Sequence, residues 1–352
     1  MSRTSEVRSG RSTASDVLVL GRGPIASAVV ARFAASTSGG AAPVRALPDL
    51  PVEAPHEALA GVRTVVLVVD TADLSASVPG TADERRAAAV SSAQRVMAAA
   101  REAGVSQVVA VTSAMVHGAA PGRPVIRDDD EPLSAPGEGY VGDMVAVEAV
   151  LARAARKRGA HRPAVMVLRP AAVVGPGVDT LVTRHFAAPR LLAVRGVERP
   201  WQLVHVDDVA SAVELAVERG WSGSATVGAD PLTPAQVERL AGMRSLELAA
   251  VTAFGTAERL HRVGVLPVPA AELAYAVYPW TVDPARLREA GWVPEHDGAD
   301  CVQVLVDGVR GRVTRAARRV DGRDVALGAA GAAVALVSTA AVWRQARLHR
   351  NR

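Results

Sequence analysis

Short apolar runs alternate with helix-length segments along the first half of the chain. The run DVLVL at 16–20 ends at Gly21, and a helical pattern then opens at Pro24 and continues to Phe33. This order indicates a strand, a tight turn and a helix. Further strand-like runs lie at 43–47, 64–69, 107–112 and 164–168, and helix-length segments lie at 82–103 and 142–158. The alternation predicts an α/β fold, with a parallel sheet covered by helices on both faces.

The pattern becomes less regular after Pro176. Thr233, Pro234 and Gln236 have the order of a capping box with proline at the first helical position, and Asp283 followed by Pro284 has the order of a cap followed by proline. We therefore expect a smaller C-terminal lobe of helices and short strands at 181–310, with segments that return to the main sheet.

Composition narrows the class of protein. The chain has 352 residues, of which 49% are hydrophobic and 22% charged, as is usual for a packed globule. Its net charge of +4 comes from arginine, because Lys157 is its single lysine, and aromatic residues make up only 3%. A nucleic-acid partner is not expected, since base-stacking aromatics are scarce. The single cysteine, Cys301, excludes an internal disulfide and fits a reducing cytoplasm.

The two ends of the chain differ from its middle. Residues 1–15 are rich in serine and arginine and contain no apolar run, which predicts a disordered tail. Residues 325–343 form nineteen uncharged residues, eight of them alanine, between arginine-rich flanks. This length can span a bilayer, but alanine contributes little to insertion. The segment is therefore either a membrane anchor, which would hold the preceding domain on the cytoplasmic face, or an alanine-rich helix docked on protein.

The turn after the first strand has the composition of a dinucleotide site. Gly21-x-Gly23-x-x-Ala26 lies between a predicted strand and helix, the context that this motif needs. Gly21 permits the tight turn, Gly23 lets the backbone approach a pyrophosphate, and Ala26 allows close packing of helix on strand. Arg22 and Ile25 complete the turn. We interpret 16–180 as a Rossmann-type NAD(P)-binding domain.

Residues near the second strand leave the choice between NAD and NADP open. Asp49 follows Ala26 at about the spacing of an acidic ribose ligand, although a turn residue between two prolines explains it equally well. Arg22 and Arg45 could instead meet a 2′-phosphate.

Six later segments carry a resemblance to a known family. They are VVLVVDTAD at 65–73, VTSAMVHG at 111–118, YVGDMVAVEAVL at 140–151, VLRPAAVVGPG at 167–177, QLVHVDDVASAV at 202–213 and VDPARLREAGWVP at 282–294. With the glycine turn, they resemble the extended short-chain dehydrogenase/reductase family, the NAD-dependent epimerase/dehydratase group. The resemblance covers about 16–310 and implies a Rossmann core, a C-terminal substrate lobe and NAD or NADP as cofactor.

The resemblance also implies roles for individual residues. Ser113 matches the catalytic serine and Tyr140 the catalytic tyrosine. Four residues match positions beside the cofactor, namely Val69, Asp70, Arg169 and Pro170. The family often forms homodimers through two helices, one of which bears the tyrosine.

Three departures from the family pattern limit these roles. The glycine turn is one residue shorter, and the chain between Leu47 and Thr64 has little room for the family's third strand. Met144 stands where the family has the lysine of Tyr-x-x-x-Lys. Forming a phenolate at neutral pH costs an unassisted tyrosine about 4 kcal/mol, and methionine removes none of that cost. We expect Tyr140 to be a poor general base that can still donate a proton in a reduction.

One histidine and one cluster of a histidine with two aspartates are further candidates for chemistry. His117 could transfer protons near neutral pH, although a structural role is the simpler interpretation. His205, Asp207 and Asp208 are adjacent residues at a predicted helix start and cannot all face one ion. We therefore expect no metal site.

The sequence supports two hypotheses of different classes. The first is an epimerase/dehydratase-like oxidoreductase that binds NAD(P) and acts on a nucleotide-sugar or a similar carbonyl or hydroxyl substrate. The second is a non-catalytic NAD(P)-binding sensor or scaffold. It is favoured by Met144 and by the thin adenine pocket that the short stretch between Leu47 and Thr64 implies.

Overall fold

The computed structural model describes residues 17–36, 44–69, 81–135, 137–156, 162–264, 266 and 268–318. Three predictions fall outside these residues: the tail at 1–15, the cofactor role of Asp70 and the apolar segment at 325–343. Over the described part, no helix is both long enough and apolar enough to cross a bilayer.

The described chain contains ten strands and ten α-helices. The strands are β1 (Val17–Leu20), β2 (Arg45–Leu47), β3 (Thr64–Val68), β4 (Gln107–Val111), β5 (Ala164–Pro170), β6 (Ala172–Val174), β7 (Leu191–Val194), β8 (Leu203–His205), β9 (Gly223–Val227) and β10 (Ser245–Leu248). The helices are α1 (Gly23–Ser36), α2 (Ala82–Glu102), α3 (Gly139–Arg156), α4 (Leu181–His185), α5 (Val206–Glu218), α6 (Pro234–Ala241), α7 (Ala250–Arg262), α8 (Ala274–Val277), α9 (Ala285–Glu289) and α10 (Gly298–Arg318).

The centre of the molecule is a six-stranded parallel sheet. Its order is β2-β1-β3-β4-β5-β9, and every neighbouring pair is parallel. β3 and β4 are buried along their whole length, as expected for parallel strands covered on both faces. The predicted α/β fold with a Rossmann-type parallel sheet is confirmed.

Successive residues of the central strands point to opposite faces and bind different helices. Val66 of β3 packs in one core cluster with Val29 of α1, whereas Val65 packs in another with Val96 of α2. α1 and α5 cover the first face, and α2 and α3 cover the second. Burial of valine on both faces explains why these strands appear in the sequence as continuous apolar runs.

β2 is an edge strand of the sheet. Residues 48–63, all of them described, form turns and a short 3-10 helix, Glu57–Leu59, before β3 begins. The expectation that there is little room for an additional strand between Leu47 and Thr64 is confirmed.

The chain after β5 builds smaller elements beside the sheet. β6 pairs with β8 and β7 pairs with β10, each as a two-stranded parallel ribbon, while β9 joins the main sheet next to β5. The boundaries predicted for the lobe, 181–310, remain a prediction.

One of the two predicted helix caps is confirmed. Thr233 accepts a hydrogen bond from the Gln236 amide and completes a capping box with Pro234 at the first helical position. The second prediction was wrong, because α9 has no cap from its own flank. Its Arg286 amide donates instead to Asp128, at 2.9 Å, from a loop far away in the sequence.

Candidate active site

A cleft lies at the carboxyl ends of the central strands. Its wall includes Pro24 and Ile25 of α1, Val69 after β3, Thr112 and Ser113 after β4, Tyr140 and Met144 of α3, Glu272 and Trp280. This is the place where open α/β sheets bind ligands. The wall is mostly apolar with a few polar groups, as in many small-molecule sites.

The glycine turn forms one end of this wall. Gly21 has φ +138°, and a Cβ atom there would lie 2.8 Å from the Val68 carbonyl oxygen, so the position requires glycine. Gly23 has φ +84° and is the first residue of α1. Ala26 is buried against the sheet, and Arg22 is exposed. Without side chains at Gly21 and Gly23, the amides at the start of α1 fit a pyrophosphate.

Asp49 is bound to α2 rather than to the glycine turn. Its carboxylate accepts hydrogen bonds from Arg95 at 2.6 Å, from Ser92 at 2.8 Å and from the Leu50 amide at 2.8 Å. Arg45 donates to the Ala58 carbonyl at 3.1 Å. These bonds agree with the interpretation of Asp49 as a turn residue, and its contact with ribose stays a prediction.

Ser113 lies directly after β4 and faces the cleft. Its hydroxyl caps a short 3-10 helix, Ala114–His117, by accepting a bond from the Met115 amide at 3.2 Å. Extended backbone at Ser113, with φ −159°, carries the side chain from the strand into the wall. Ser113 and Tyr140 line the same cleft, and the catalytic role of Ser113 stays a prediction.

Tyr140 occupies the first turn of α3 and has a cation over its ring. The Arg85 guanidinium lies 4.5 Å from the ring centre. Arg85 and Arg86 both bind the fully buried carboxylate of Asp143, at 2.5 and 3.2 Å. Met144, next to Asp143, is buried in the cleft wall. The positive charge near Tyr140 therefore comes from α2, which the spacing within α3 could not reveal.

Arg169 and Pro170, predicted to contact the cofactor, lie among the buried residues of β5. Arg169 binds Glu148 of α3 at 2.9 Å and also donates to the Asp130 carbonyl at 3.2 Å. Thr112 donates to the same Glu148 at 2.6 Å. These contacts join α3 to β4 and β5 beneath the cleft, and a cofactor contact for Arg169 and Pro170 stays a prediction.

Glu272 is a cleft residue that the sequence did not single out. It belongs to a 3-10 helix, Ala270–Leu273, and is 5% exposed. Its Oε1 accepts a hydrogen bond from the Val141 amide at 3.3 Å. Burial raises the pKa of the Glu272 carboxyl to about 7. Nothing in the local sequence, an ordinary glutamate 132 positions after Tyr140, signals this contact.

His117 is buried, and its Nδ1 lies 3.1 Å from the Glu131 carbonyl oxygen. Burial, followed by the charge of Arg169, lowers the pKa of His117 to about 4. A histidine that is neutral throughout the physiological range suits the structural interpretation better than proton transfer.

His205, Asp207 and His296 bring ligand-type atoms within 4.8 Å of one another. The centres of the His205 and His296 rings lie 3.9 Å apart, and the ring planes are tilted by 31° to each other. His205 also caps α5 by accepting a bond from the Asp207 amide at 3.3 Å. The geometry is that of a capped helix start with two tilted rings in contact, and the expectation of no metal stays a prediction.

Three kinds of comparison relate this chain to known proteins. Uncharacterised proteins of Mycobacterium tuberculosis and Mycobacterium bovis are 31% identical to it over 232 residues, which are 63% of this chain and 59% of theirs. The alignment therefore spans less than two thirds of those relatives.

Solved structures share the fold. MoeE5 in complex with UDP-glucuronic acid and NAD superposes with a TM-score of 0.60 at 21% identity, over 85% of this chain and 100% of the other. UDP-N-acetylglucosamine 4-epimerase from Bacillus cereus superposes with a TM-score of 0.57 at 17% identity, over 84% and 99%.

A family model described as the NAD dependent epimerase/dehydratase family matches residues 19–227, more than half of the chain. The match runs from the glycine turn through Ser113 and Tyr140 to the last strand of the main sheet. It confirms the resemblance inferred from the motifs and the nicotinamide dinucleotide class of cofactor. The chain belongs to the NAD-dependent epimerase/dehydratase family.

Proposed function

We propose that this protein is an NAD(P)-dependent oxidoreductase of the epimerase/dehydratase type that acts on a nucleotide-sugar or a similar carbonyl or hydroxyl substrate. The observation that carries the proposal is the shared cleft, which joins the start of α1 to Ser113 and Tyr140. The structural neighbour MoeE5, bound to a nucleotide-sugar and NAD, supports the substrate class.

The glycine turn and the first amides of α1 would hold the diphosphate of the cofactor, with Ile25 and Val69 beside it. When bound, the nicotinamide supplies hydride acceptance or donation. Ser113 orients the reacting oxygen of the substrate by hydrogen bonding. Tyr140 donates a hydrogen bond or a proton to that oxygen, with Arg85 over its ring to stabilise developing negative charge.

Calorimetric titration with NAD and NADP tests the cofactor site. Gly23→Asp adds a negative charge at the phosphate position, while Gly23→Asn adds a neutral side chain of the same size. Both residue types tolerate positive φ, and an acidic residue favours a helix start. We expect G23D to bind at least tenfold more weakly than G23N with similar thermal stability. Absence of dinucleotide binding to the unmodified protein would rule out the proposed function.

The substrate class requires a separate measurement. UDP-glucose, UDP-glucuronic acid and UDP-N-acetylglucosamine, each supplied with NAD, are suitable first probes. Nicotinamide absorbance detects net oxidation, and chromatography of the products detects epimerisation or dehydration without net oxidation. A protein that binds dinucleotide but converts none of a broad panel of such substrates contradicts this assignment.

A non-catalytic sensor or scaffold is the second candidate. It is favoured by Met144 at the lysine position and by the engagement of Asp49 with Arg95. Met144→Lys distinguishes the two, with Met144→Leu as the control for packing. A large gain of turnover points to a decayed enzyme, whereas an active protein with unchanged turnover uses other groups for proton transfer.

Assembly and location remain proposals as well. We expect a homodimer formed through α2 and α3, which pack against each other, and sedimentation analysis measures its mass. We expect a cytoplasmic protein, either free or held at the inner membrane face by 325–343. Cell fractionation with and without that segment separates these two cases.

A further inference from the structure

We propose that Glu272, and not Tyr140, is the proton-exchanging residue of the cleft, taking up the proton released when a substrate hydroxyl is oxidised and returning it when a carbonyl is reduced. Tyr140 then contributes a hydrogen bond to the same oxygen. The inference rests on the proposed function, since it names the residue that binds and releases the proton during hydride transfer. It arises from the position of a buried carboxyl beside Tyr140, on a segment remote from it in the sequence.

The fold holds the Glu272 carboxyl close to the backbone at the start of α3. The backbone N–H groups of Tyr140 and Val141 face it, the second at 3.3 Å from Oε1. Gly139, with φ +83°, makes this approach possible, because a Cβ atom there would lie 2.2 Å from Oε1. The carboxyl is thus fixed at the start of the helix that carries Tyr140, and it lines the same cleft as Ser113.

The cleft wall offers few other groups for this task. Among its described residues, the titratable ones are Tyr140, Asp179 and Glu272. Asp179 is held by two bonds from Arg184, at 2.9 and 2.8 Å, and serves as its counter-ion. Glu272 forms no ion pair with any described residue. No directly bound counter-ion therefore holds its carboxyl in the ionised form, and the carboxyl can exchange a proton.

Several charged or titratable groups face Glu272 from the neighbouring elements. Arg85 of α2 favours the ionised carboxylate, whereas Asp143 of α3 favours the protonated acid. Tyr275 of α8 is itself shifted, with its pKa raised to about 12 by burial and then by Glu272. Burial outweighs the other contributions to Glu272 and raises its pKa to about 7. Both protonation states are therefore accessible at neutral pH, as a group that exchanges protons requires.

The step balances with a nicotinamide dinucleotide as the oxidant. In the oxidative direction the O–H and C–H bonds of an alcohol break, and a C=O double bond forms. The proton passes to the Glu272 carboxylate, and the hydride passes to the oxidised nicotinamide. In the reductive direction the carbonyl carbon receives the hydride, and the protonated Glu272 returns its proton to the oxygen.

Proton release on cofactor binding tests the proposal without a known substrate. The oxidised nicotinamide ring is cationic and the reduced ring is neutral, so NAD⁺ favours ionised Glu272 more than NADH does. Calorimetry at pH 6.5, repeated in buffers of different ionisation enthalpy, gives the number of protons released. We expect about half a proton per NAD⁺ and less for NADH. E272Q should abolish the difference, whereas E289Q, which alters an exposed glutamate of α9, should retain it.

Each outcome has a distinct meaning. Binding of NAD⁺ with equal proton release in the unmodified protein and E272Q overturns the role of Glu272 and leaves the proposed function standing. Absence of binding overturns both. Should E272Q fail to fold, E272D replaces it. The pH of maximal proton release should then shift, and an unchanged pH in E272D counts against the proposal.

Discussion

The Arg85 guanidinium lies 4.5 Å from the centre of the Tyr140 ring and also binds the buried Asp143 carboxylate. Arg85 comes from α2, on a different segment of chain from the tyrosine. In the family, the cation near this tyrosine comes from four residues further along the same helix, where this chain has Met144. The charge beside Tyr140 has therefore a different origin here.

Replacing Arg85 should weaken the fold. In Arg85→Met the ring loses its cation, and Asp143, which has no exposed surface, retains Arg86 as its remaining ion-pair partner in the described chain. We expect the free energy of unfolding to fall by about 1 to 3 kcal/mol, measured by urea denaturation. Arg101→Met, an exposed change on the same helix, should stay within about 0.5 kcal/mol of the parent. Equal stabilities for R85M and R101M would show that the contact contributes nothing.

Glu272 should make stability depend on pH. Its folded-state pKa, about 7, lies above the ordinary value of 4.5, so the folded protein holds the proton more tightly than the unfolded chain. The contribution is fully present below pH 4.5 and is lost as the pH rises to 7, and it amounts to at most about 3 kcal/mol. Urea unfolding at several pH values should show this decline for the parent relative to E272Q. Parallel stability curves for the two proteins contradict the prediction.

Replacing Gly139 by alanine should lower the free energy of unfolding more than the same change at another glycine with positive φ. In Gly139→Ala the new Cβ lies 2.2 Å from Glu272 Oε1, in addition to the strain of φ +83°. Gly104→Ala has φ +72° and no heavy atom within 4 Å of the new Cβ. We expect a loss of about 1 kcal/mol for G104A and at least 1 kcal/mol more for G139A, measured by denaturant unfolding. G139A should also reduce the pH dependence assigned to Glu272.

The Arg169–Glu148 pair should behave as a buried ion pair. Arg169→Met leaves the Glu148 carboxylate buried without its guanidinium partner, which typically costs about 3 to 5 kcal/mol. The double variant R169M/E148Q removes the stranded charge and should recover part of that loss. A double-mutant cycle of unfolding free energies measures the coupling. Additive losses would show that the two side chains are not energetically coupled.

Much of the fold was determined by local sequence. Continuous valine-rich runs are buried on both faces in β3 and β4, and the glycine turn requires its glycine because Val68 approaches it. The lack of an additional strand in the described residues 48–63 also followed from the small number of residues between Leu47 and Thr64. Such features depend on the spacing of apolar residues and on the number of residues between strands, and both can be read directly from the sequence.

The tertiary structure alone decided which groups meet in the cleft. Glu272 reaches the start of α3 from 132 positions away, Arg85 reaches Tyr140 from another helix, and Asp128 caps α9 in place of Asp283. These contacts join residues that no local period relates. A polar side chain finds its partner through folding, because burial makes an unpaired charge or amide costly. The sequence therefore determined the sheet and the place of the cleft, and the packing of distant segments determined its electrostatics.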